Sequence, residues 1–541
     1  MDNTEKQKNK QNLENTKKQV SDKDIKKILA EYSKAESIKN SWNIKYGEIA
    51  KYFMPGKNRN NIDSKEYKEV NTELFTSIGQ STATNFVNKM QSIITPIASD
   101  FISLEATDLF ENKKELDEEL NKICKIINNC KNASNFDAVI SEFYYELIFG
   151  TACLLVQNHS MSQPLIFKVV PFLDYCITEQ PDGNIKSVFR KIVVKHEEIK
   201  YLWIDSTYID PKEENEDKEI TLIEYTRYNY ETKKYDYGVI VENEKRNIVY
   251  RTYKTNPFII LRWGKISGEV YGRGIGINAV NDIKTLNKII EYSLRAFAFN
   301  IPTFLVEQDG IINPDNFELK PGALNFVRST MSNQPSIMPL DVKTDHNISS
   351  YNIDKMTMEI KRNMYDSTIP DNPSNMSATE VNTRVAELNT NLTSMFGRIQ
   401  HDFLIPLTKR LFENLQTYNY IDSSFDINNI DGIMMKIKIN TPLSKQNKQQ
   451  ELESCLQSIQ MLLQVDQTGE TLRQYVKIDE LVPHILNLAG MPPEFIKSEE
   501  EILKEQMEQA QIQQQQHQAR INDEIYLSNS IEQGKANAKQ Q

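Results

Sequence analysis

The 541-residue sequence predicts an α+β fold that is mainly helical. Three observations carry this. Apolar residues keep helical spacing through most of the first 150 positions, β-branched and aromatic runs broken by turn residues take over from Thr151 to Trp263, and helical spacing returns from Ile283 onward. A chain of this length exceeds a single compact core, so about two to four structural units are expected.

Residues 1 to about 20 are rich in Lys, Asn and Gln with almost nothing to bury, and read as a mobile arm. Ser21 and Asp24 then cap a helix whose apolar positions Ile25, Ile28, Leu29, Tyr32, Trp42, Tyr46, Ile49 and Phe53 run until Met54-Pro55-Gly56. A second helical run, Ala83 to Ile94, ends at Pro96, and a third, Phe136 to Ile148, ends at Gly150. From Thr151 the runs LLVQ, IFKVV, SVFRKIVV (after Pro181-Asp182-Gly183), ITLIEYTRY, YDYGVIVE, NIVYRTY and PFIILRW predict an antiparallel β unit. A long helix with Ile283, Leu286, Ile290, Leu294 and Phe297 on one face follows and ends before Pro302.

A Pro-rich stretch to about Asp345 predicts a small β or loop module, after which helical spacing resumes at Ile353, Met356, Ile360 and Met364. A polar loop from Asp366 to Asn375 leads into the longest helix. Its apolar stripe Val381, Val385, Leu388, Leu392, Met395 and Ile399 is heptad-like, and Pro406 is expected to kink it before Leu407, Leu411 and Leu415. IMMKIKIN reads as a strand, the runs Leu452–Leu463 and Leu481–Leu488 as closing helices, and residues 498–541 as a Gln-rich helix or tail.

Charge and motifs exclude more than they suggest. Lys and Arg number 64 against 75 Asp and Glu, a net charge of −11, the wrong sign for tight, sequence-independent DNA binding through phosphates. The Lys-rich start, net +3 over residues 1–28, reads as a solvated charge run. Five scattered cysteines, Cys124, Cys130, Cys153, Cys176 and Cys455, with no C-x-x-C pair, read as buried thiols of a reducing compartment. No h-region opens the chain, and its longest apolar stretch, Leu147–Val156, is too short to span a bilayer, so neither secretion nor membrane insertion is expected.

Gly272-Arg273-Gly274-Ile275-Gly276 departs from G-x-G-x-x-G at Ile277 and reads as a glycine-rich turn into a helix rather than a phosphate loop. The sequence has no Walker A motif, no H-E-x-x-H and no G-x-S-x-G, and its six histidines never fall at metal-ligand spacing. No enzyme, cofactor or metal is expected.

Two blocks stand out, in order: Arg262-Trp263, then Gly268-Glu269-Val270-Tyr271-Gly272-Arg273-Gly274, then Asp282-Ile283-Lys284-Thr285-Leu286-Asn287; and Met376-Ser377-Ala378-Thr379-Glu380-Val381 with Arg384 and Glu387. Together they resemble the portal, or head-to-tail connector, proteins of short-tailed podovirus-type bacteriophages, with Ser377 replacing the family's commoner Thr. Looser similarity at Leu74–Pro96 and Phe149-Gly150-Thr151 extends the resemblance over about residues 22–500.

The resemblance implies a non-enzymatic ring, usually of twelve subunits, at one capsid vertex of the virion. It would be assembled in the host bacterial cytoplasm with major capsid and scaffolding proteins. Double-stranded DNA would be packaged and ejected through its lumen, with terminase and later a tail adaptor docking on it and no membrane involved. Under it, with residues 1–21 left outside as a disordered arm, 22–262 are the wing region, 263–300 the first stem helix, 301–347 the clip and 348–366 the second stem helix. Residues 367–375 are then the tunnel loop, with Asp371, Asn372, Ser374 and Asn375 near DNA, 376–416 the long kinked helix and 417–497 the wing return and crown, while the Gln-rich helix or tail 498–541 lies outside the resemblance.

Arg262, Trp263, Gly268, Glu269, Tyr271, Gly272, Arg273, Thr379 and Glu380 are the structural residues of the family motifs. An acidic chain suits such a conduit, because a wall rich in phosphate contacts would hold DNA rather than let it slide. Two alternatives stay open. One is another phage ring component such as a tail adaptor or nozzle, against which the Arg262–Asn287 block argues; the other is a cytosolic scaffold that binds partners through the heptad-like helix.

Overall fold

The computed structural model describes residues 21–55, 74–106, 113–158, 163–208, 219–299, 304–306, 337–339, 346–366, 395–422, 435–439, 442–465 and 476–489. Helix α1 (Asp22–Phe53) begins where its cap is expected: the Ser21 hydroxyl accepts the Asp24 amide at 3.3 Å. Its buried stripe Ile25, Ile28, Tyr32 and Ala35 lies on a five-stranded antiparallel sheet. The strands are β4 (Tyr175–Glu179), β5 (Ile185–Lys195), β6 (Glu219–Asn229), β7 (Lys234–Val241) and β8 (Arg246–Tyr253), paired in that order.

Cys176, Phe189, Ile223, Tyr225 and Ile240 supply the sheet's side of this core, where each large apolar side chain contributes about 2 kcal/mol by leaving water. Glu31 pins the helix to the sheet by accepting hydrogen bonds from Lys186 Nζ at 2.8 Å and Ser187 Oγ at 2.9 Å. Elsewhere in the same sheet, Trp203 Nε1 donates to the Tyr237 hydroxyl at 2.8 Å, which donates to Glu224 at 2.6 Å, while Arg190 pairs with the same carboxylate at 3.1 Å. The buried charge of Glu224 is thereby satisfied.

A second sheet orders β3 (Ile166–Val170), β2 (Thr151–Gln157) and β9 (Phe258–Arg262), with β2 in the centre and buried on both faces, which is why it reads as a continuous apolar run. The β unit expected from Thr151 to Trp263 is therefore two sheets, with β4 and the short helix α5 (His196–Leu202) added to the strands read from sequence. Helices α2 (Ile78–Ile94) and α4 (Phe136–Glu146) match the expected runs and pack on each other.

Two elements of the N-terminal region differ from expectation. Strand β1 (Ile102–Ala106) lies within the stretch read as helical and pairs antiparallel with β12 (Met435–Ile439), Leu104 opposite Ile437. Helix α3 (Lys113–Asn132) covers it, Asn128 Nδ2 donating to the Ile102 carbonyl at 3.0 Å.

Helix α6 (Ile275–Phe299) and helix α7 (His346–Asn363) pack side by side, and between them in sequence β10 (Phe304–Val306) pairs antiparallel with β11 (Ile337–Pro339). After a helical stretch from 395, a π-helical turn at Gln400–Leu404 precedes α8 (Ile405–Thr417). Ile405 N–H donates five residues back to the Gln400 carbonyl, and Pro406, having no N–H, cannot restore the regular ladder. A π turn thus stands just ahead of Pro406, the residue at which the sequence predicts a kink.

Residues 1–441 and 442–541 form two separate units. The described part of the second is α9 (Pro442–Val465) packed with α10 (Ile478–Leu488). All five cysteines are free thiols; Cys124, Cys153 and Cys176 are buried as expected, whereas Cys130 and Cys455 are only half-buried.

Candidate functional site

The first motif block is the junction at which β9 leaves its sheet and α6 begins. Trp263 N–H donates to the Gly150 carbonyl at 2.8 Å, Gly272 N–H to Thr151 Oγ1 at 2.9 Å, and Gly276 N–H to the Ile148 carbonyl at 3.1 Å. Between these ties, Gly264 and Arg273 exchange backbone hydrogen bonds of 3.1 and 2.6 Å and close the 264–273 loop. Glu269 and Arg273, four apart on its exposed side, pair at 2.6 Å.

The glycines are explained by this approach of backbone to backbone. A Cβ on Gly272 would lie 2.4 Å from the Gly150 carbonyl oxygen, and one on Gly274 would lie 2.1 Å from that of Ile148. Gly150 sits at φ +118°, a left-handed conformation closed to other residues at low cost. The amides of Gly272, Arg273 and Gly276 are all spent on protein acceptors, so the motif is the tight turn into a helix that its departure from G-x-G-x-x-G indicates.

Tyr271 is fully buried and its hydroxyl accepts the Ile177 amide at 3.1 Å, linking the junction to β4. Asn287, the last residue of the block, accepts the Phe75 amide at 2.8 Å, and Lys284 pairs with Glu48 of α1. Arg262 is nearly buried. Its guanidinium donates to Glu179 at 3.2 Å and to the Gly183 carbonyl at 2.9 Å, and its Nε lies 3.5 Å from Asp402 in the π turn. Lys265 also pairs with Glu179, and Arg398 and His401 flank Asp402 at 3.7 and 2.8 Å. Trp263 sets its ring edge-on to Phe86 of α2 and to Tyr365 just beyond α7, with centroids 5.4 and 6.0 Å away.

Arg262, Trp263, Gly268, Glu269, Tyr271, Gly272 and Arg273 are therefore brought together. Asp371, Asn372, Ser374, Asn375, Thr379 and Glu380 lie outside the described residues. Sequence reasoning missed Glu179 and Asp402, the acidic partners of Arg262; the proline four residues after Asp402 was the available signal. It also missed Lys39. This lysine of α1 is 1% exposed, its amine faces the rings of Phe172, Tyr46, Tyr175 and Tyr271, and its Nζ has no hydrogen-bond partner. Burial drives its pKa well below the ordinary lysine value. Among the described residues no cluster of His, Cys, Asp and Glu is placed to hold a metal ion, and no helix is long and apolar enough to cross a membrane.

The junction joins two sheets, four helices and a π turn. Residues 25–496 match the family described as bacteriophage head to tail connecting protein, and the chain belongs to that family. No curated protein matches the sequence. Among solved structures, a chain of the virion of a native gene transfer agent particle aligns at 11% identity and a TM-score of 0.35, covering 77% of this chain and 90% of that one. A chain from the neck of an empty gene transfer agent particle aligns at 11% identity and a TM-score of 0.33, covering 70% and 86%.

Proposed function

We propose that this chain is the portal subunit of a short-tailed phage-type particle: a non-enzymatic ring of about twelve copies at one capsid vertex, closed by heterologous contacts. Through its lumen double-stranded DNA is packaged and later ejected, and terminase and a tail adaptor dock on it in turn. The observation that carries the reading is the match to the connecting-protein family over residues 25–496.

The helix pair supports it. Helices α6 and α7 flank the short β10–β11 ladder in sequence, as a hairpin carrying a distal module does, and Tyr292 and Met358 on them are 61% and 65% exposed. Apolar side chains that one copy leaves in water are buried when identical copies pack in a ring. The net charge of −11 favours passage over retention of DNA. In this reading residues 263–300 and 348–366 are the stem, 301–347 the clip, and 371–375 part of a loop near the DNA, while the work of packaging comes from a separate ATPase.

Native mass spectrometry of the purified chain, with negative-stain images, tests the proposal. A closed ring of about twelve copies with a hole wide enough for a duplex is the expected result. A stable dimer, or a ring without a lumen, overturns it.

A further inference from the structure

Residues 366 and 395 bound a stretch between two described parts of the first unit, and both flanks converge on the same two adjacent residues. On the near side, α7 ends in a reversal: Asp366 N–H donates to the Lys361 carbonyl at 2.8 Å and Tyr365 N–H to that of Arg362 at 3.1 Å. Tyr365 adopts φ +55°, a left-handed conformation that a bulky residue takes only when its surroundings impose it. What imposes it is the ring contact with Trp263, together with Lys89 Nζ donating to the Tyr365 carbonyl at 3.3 Å and Asn85 Nδ2 to Asp366 at 3.0 Å, both from α2.

On the far side, the π turn brings Asp402 inward to Arg262. Arg262 Nε and Asp402 Oδ2 have no hydrogen-bond partner, so their 3.5 Å approach is a charge contact in a site shut off from water. Phe403, next in the turn, stacks on Phe143 of α4 with centroids 4.8 Å apart.

We infer that Arg262 and Trp263 are positioning residues that fix both ends of the 367–394 stretch, Trp263 by seating Tyr365 and Arg262 by holding Asp402. The dipeptide is itself rigid, because Trp263 N–H is tied to Gly150 and Arg262 is the last residue of a buried strand. Two flanks that belong to different helices are thereby referred to one point on the sheet. The inference rests on these contacts and is independent of the portal reading.

Hydrogen exchange followed by mass spectrometry on the full-length chain tests it, with two mild variants. Asp402→Asn keeps the volume of the side chain and removes its charge. Tyr365→Asn keeps a residue that tolerates the left-handed backbone and removes the ring. Exchange at the far flank is expected to rise at least tenfold in Asp402→Asn, and at the near flank in Tyr365→Asn. The double variant is expected to show both rises together, with strands β4–β8 unchanged in all three. Wild-type exchange rates at both flanks, or a rise spread evenly over β4–β8, overturns the inference; the second pattern is what a merely structural loss of stability produces.

Discussion

The junction around Gly150, Gly272 and Gly274 and the helix pair α9–α10 differ in what surrounds them. At the junction, strand, loop and helix backbones approach closely enough to exclude a methyl group, and the neighbouring side chains Ile148, Ala152 and Tyr271 are wholly buried. In α9, by contrast, Leu456 and Met461 are 45% and 66% exposed, and Val482 of α10 is also exposed. One region is completed by its own chain. Among the described residues, the other leaves apolar side chains in water. Close backbone approach thus marks the part of the fold that its own segments complete, and exposed apolar side chains mark the part that the described residues do not.

The sharpest way to break this contrast is Gly274→Ala. Because the added carbon collides with a backbone carbonyl that cannot move aside, a loss of about 3 kcal/mol is expected from the shift of the urea unfolding midpoint. Next in size is Lys39→Met. Burial lowers the Lys39 pKa in the folded chain, whereas the unfolded lysine keeps its proton up to about pH 10.4, so unfolding takes up a proton and wild-type stability falls as pH drops below that value. Met fills the same space without charge. A gain of about 1–3 kcal/mol at pH 7, and a flatter dependence of the unfolding midpoint between pH 6 and 10, are expected.

A smaller effect separates crowded glycines from open ones. Gly47 lies inside α1 with no atom within 4 Å of an added Cβ, so Gly47→Ala is expected to stabilise by about 0.5 kcal/mol in the same measurement. The smallest change is Met461→Ser. The unassembled chain should keep its stability within about 0.5 kcal/mol, while native mass spectra show fewer assembled rings. A large loss of stability in the unassembled chain would erase the distinction between the two regions.

Much of the architecture is legible in the residues. The stripe from Ile25 to Phe53, the stop at Met54-Pro55 and the strand runs after Thr151 each follow from local spacing and turn chemistry, and the structure shows α1 and the two sheets there. Strand β1 is not legible, because ISLEA is short and gains its meaning from Met435–Ile439, far along the chain. Helix α3 was within reach: Leu120, Ile123, Cys124 and Ile127 keep helical spacing, but charged residues dominate its surface and mask the stripe. The motif block located the junction. Why it needs glycine could not be read, since the reason is the carbonyls of Ile148 and Gly150 on another segment. Lys39 was invisible for the opposite cause: a lysine on a helix reads as exposed until the aromatic rings around it are placed.

The π turn also changes what kinds of sequence change residues 395–417 tolerate. Up to Ile399 the apolar stripe alternates steps of four and three, but Ile399, Phe403, Leu407, Leu411 and Leu415 step by four throughout. In a regular helix each such step drifts about 40° off its face, yet all five residues are buried. The π turn takes up part of that drift by holding one residue more than an α turn, so it is equivalent to a single-residue insertion. Removing one residue between 400 and 404 would swing Asp402 and the leucines of α8 about 100° apart. Across this short segment, length is constrained more tightly than composition.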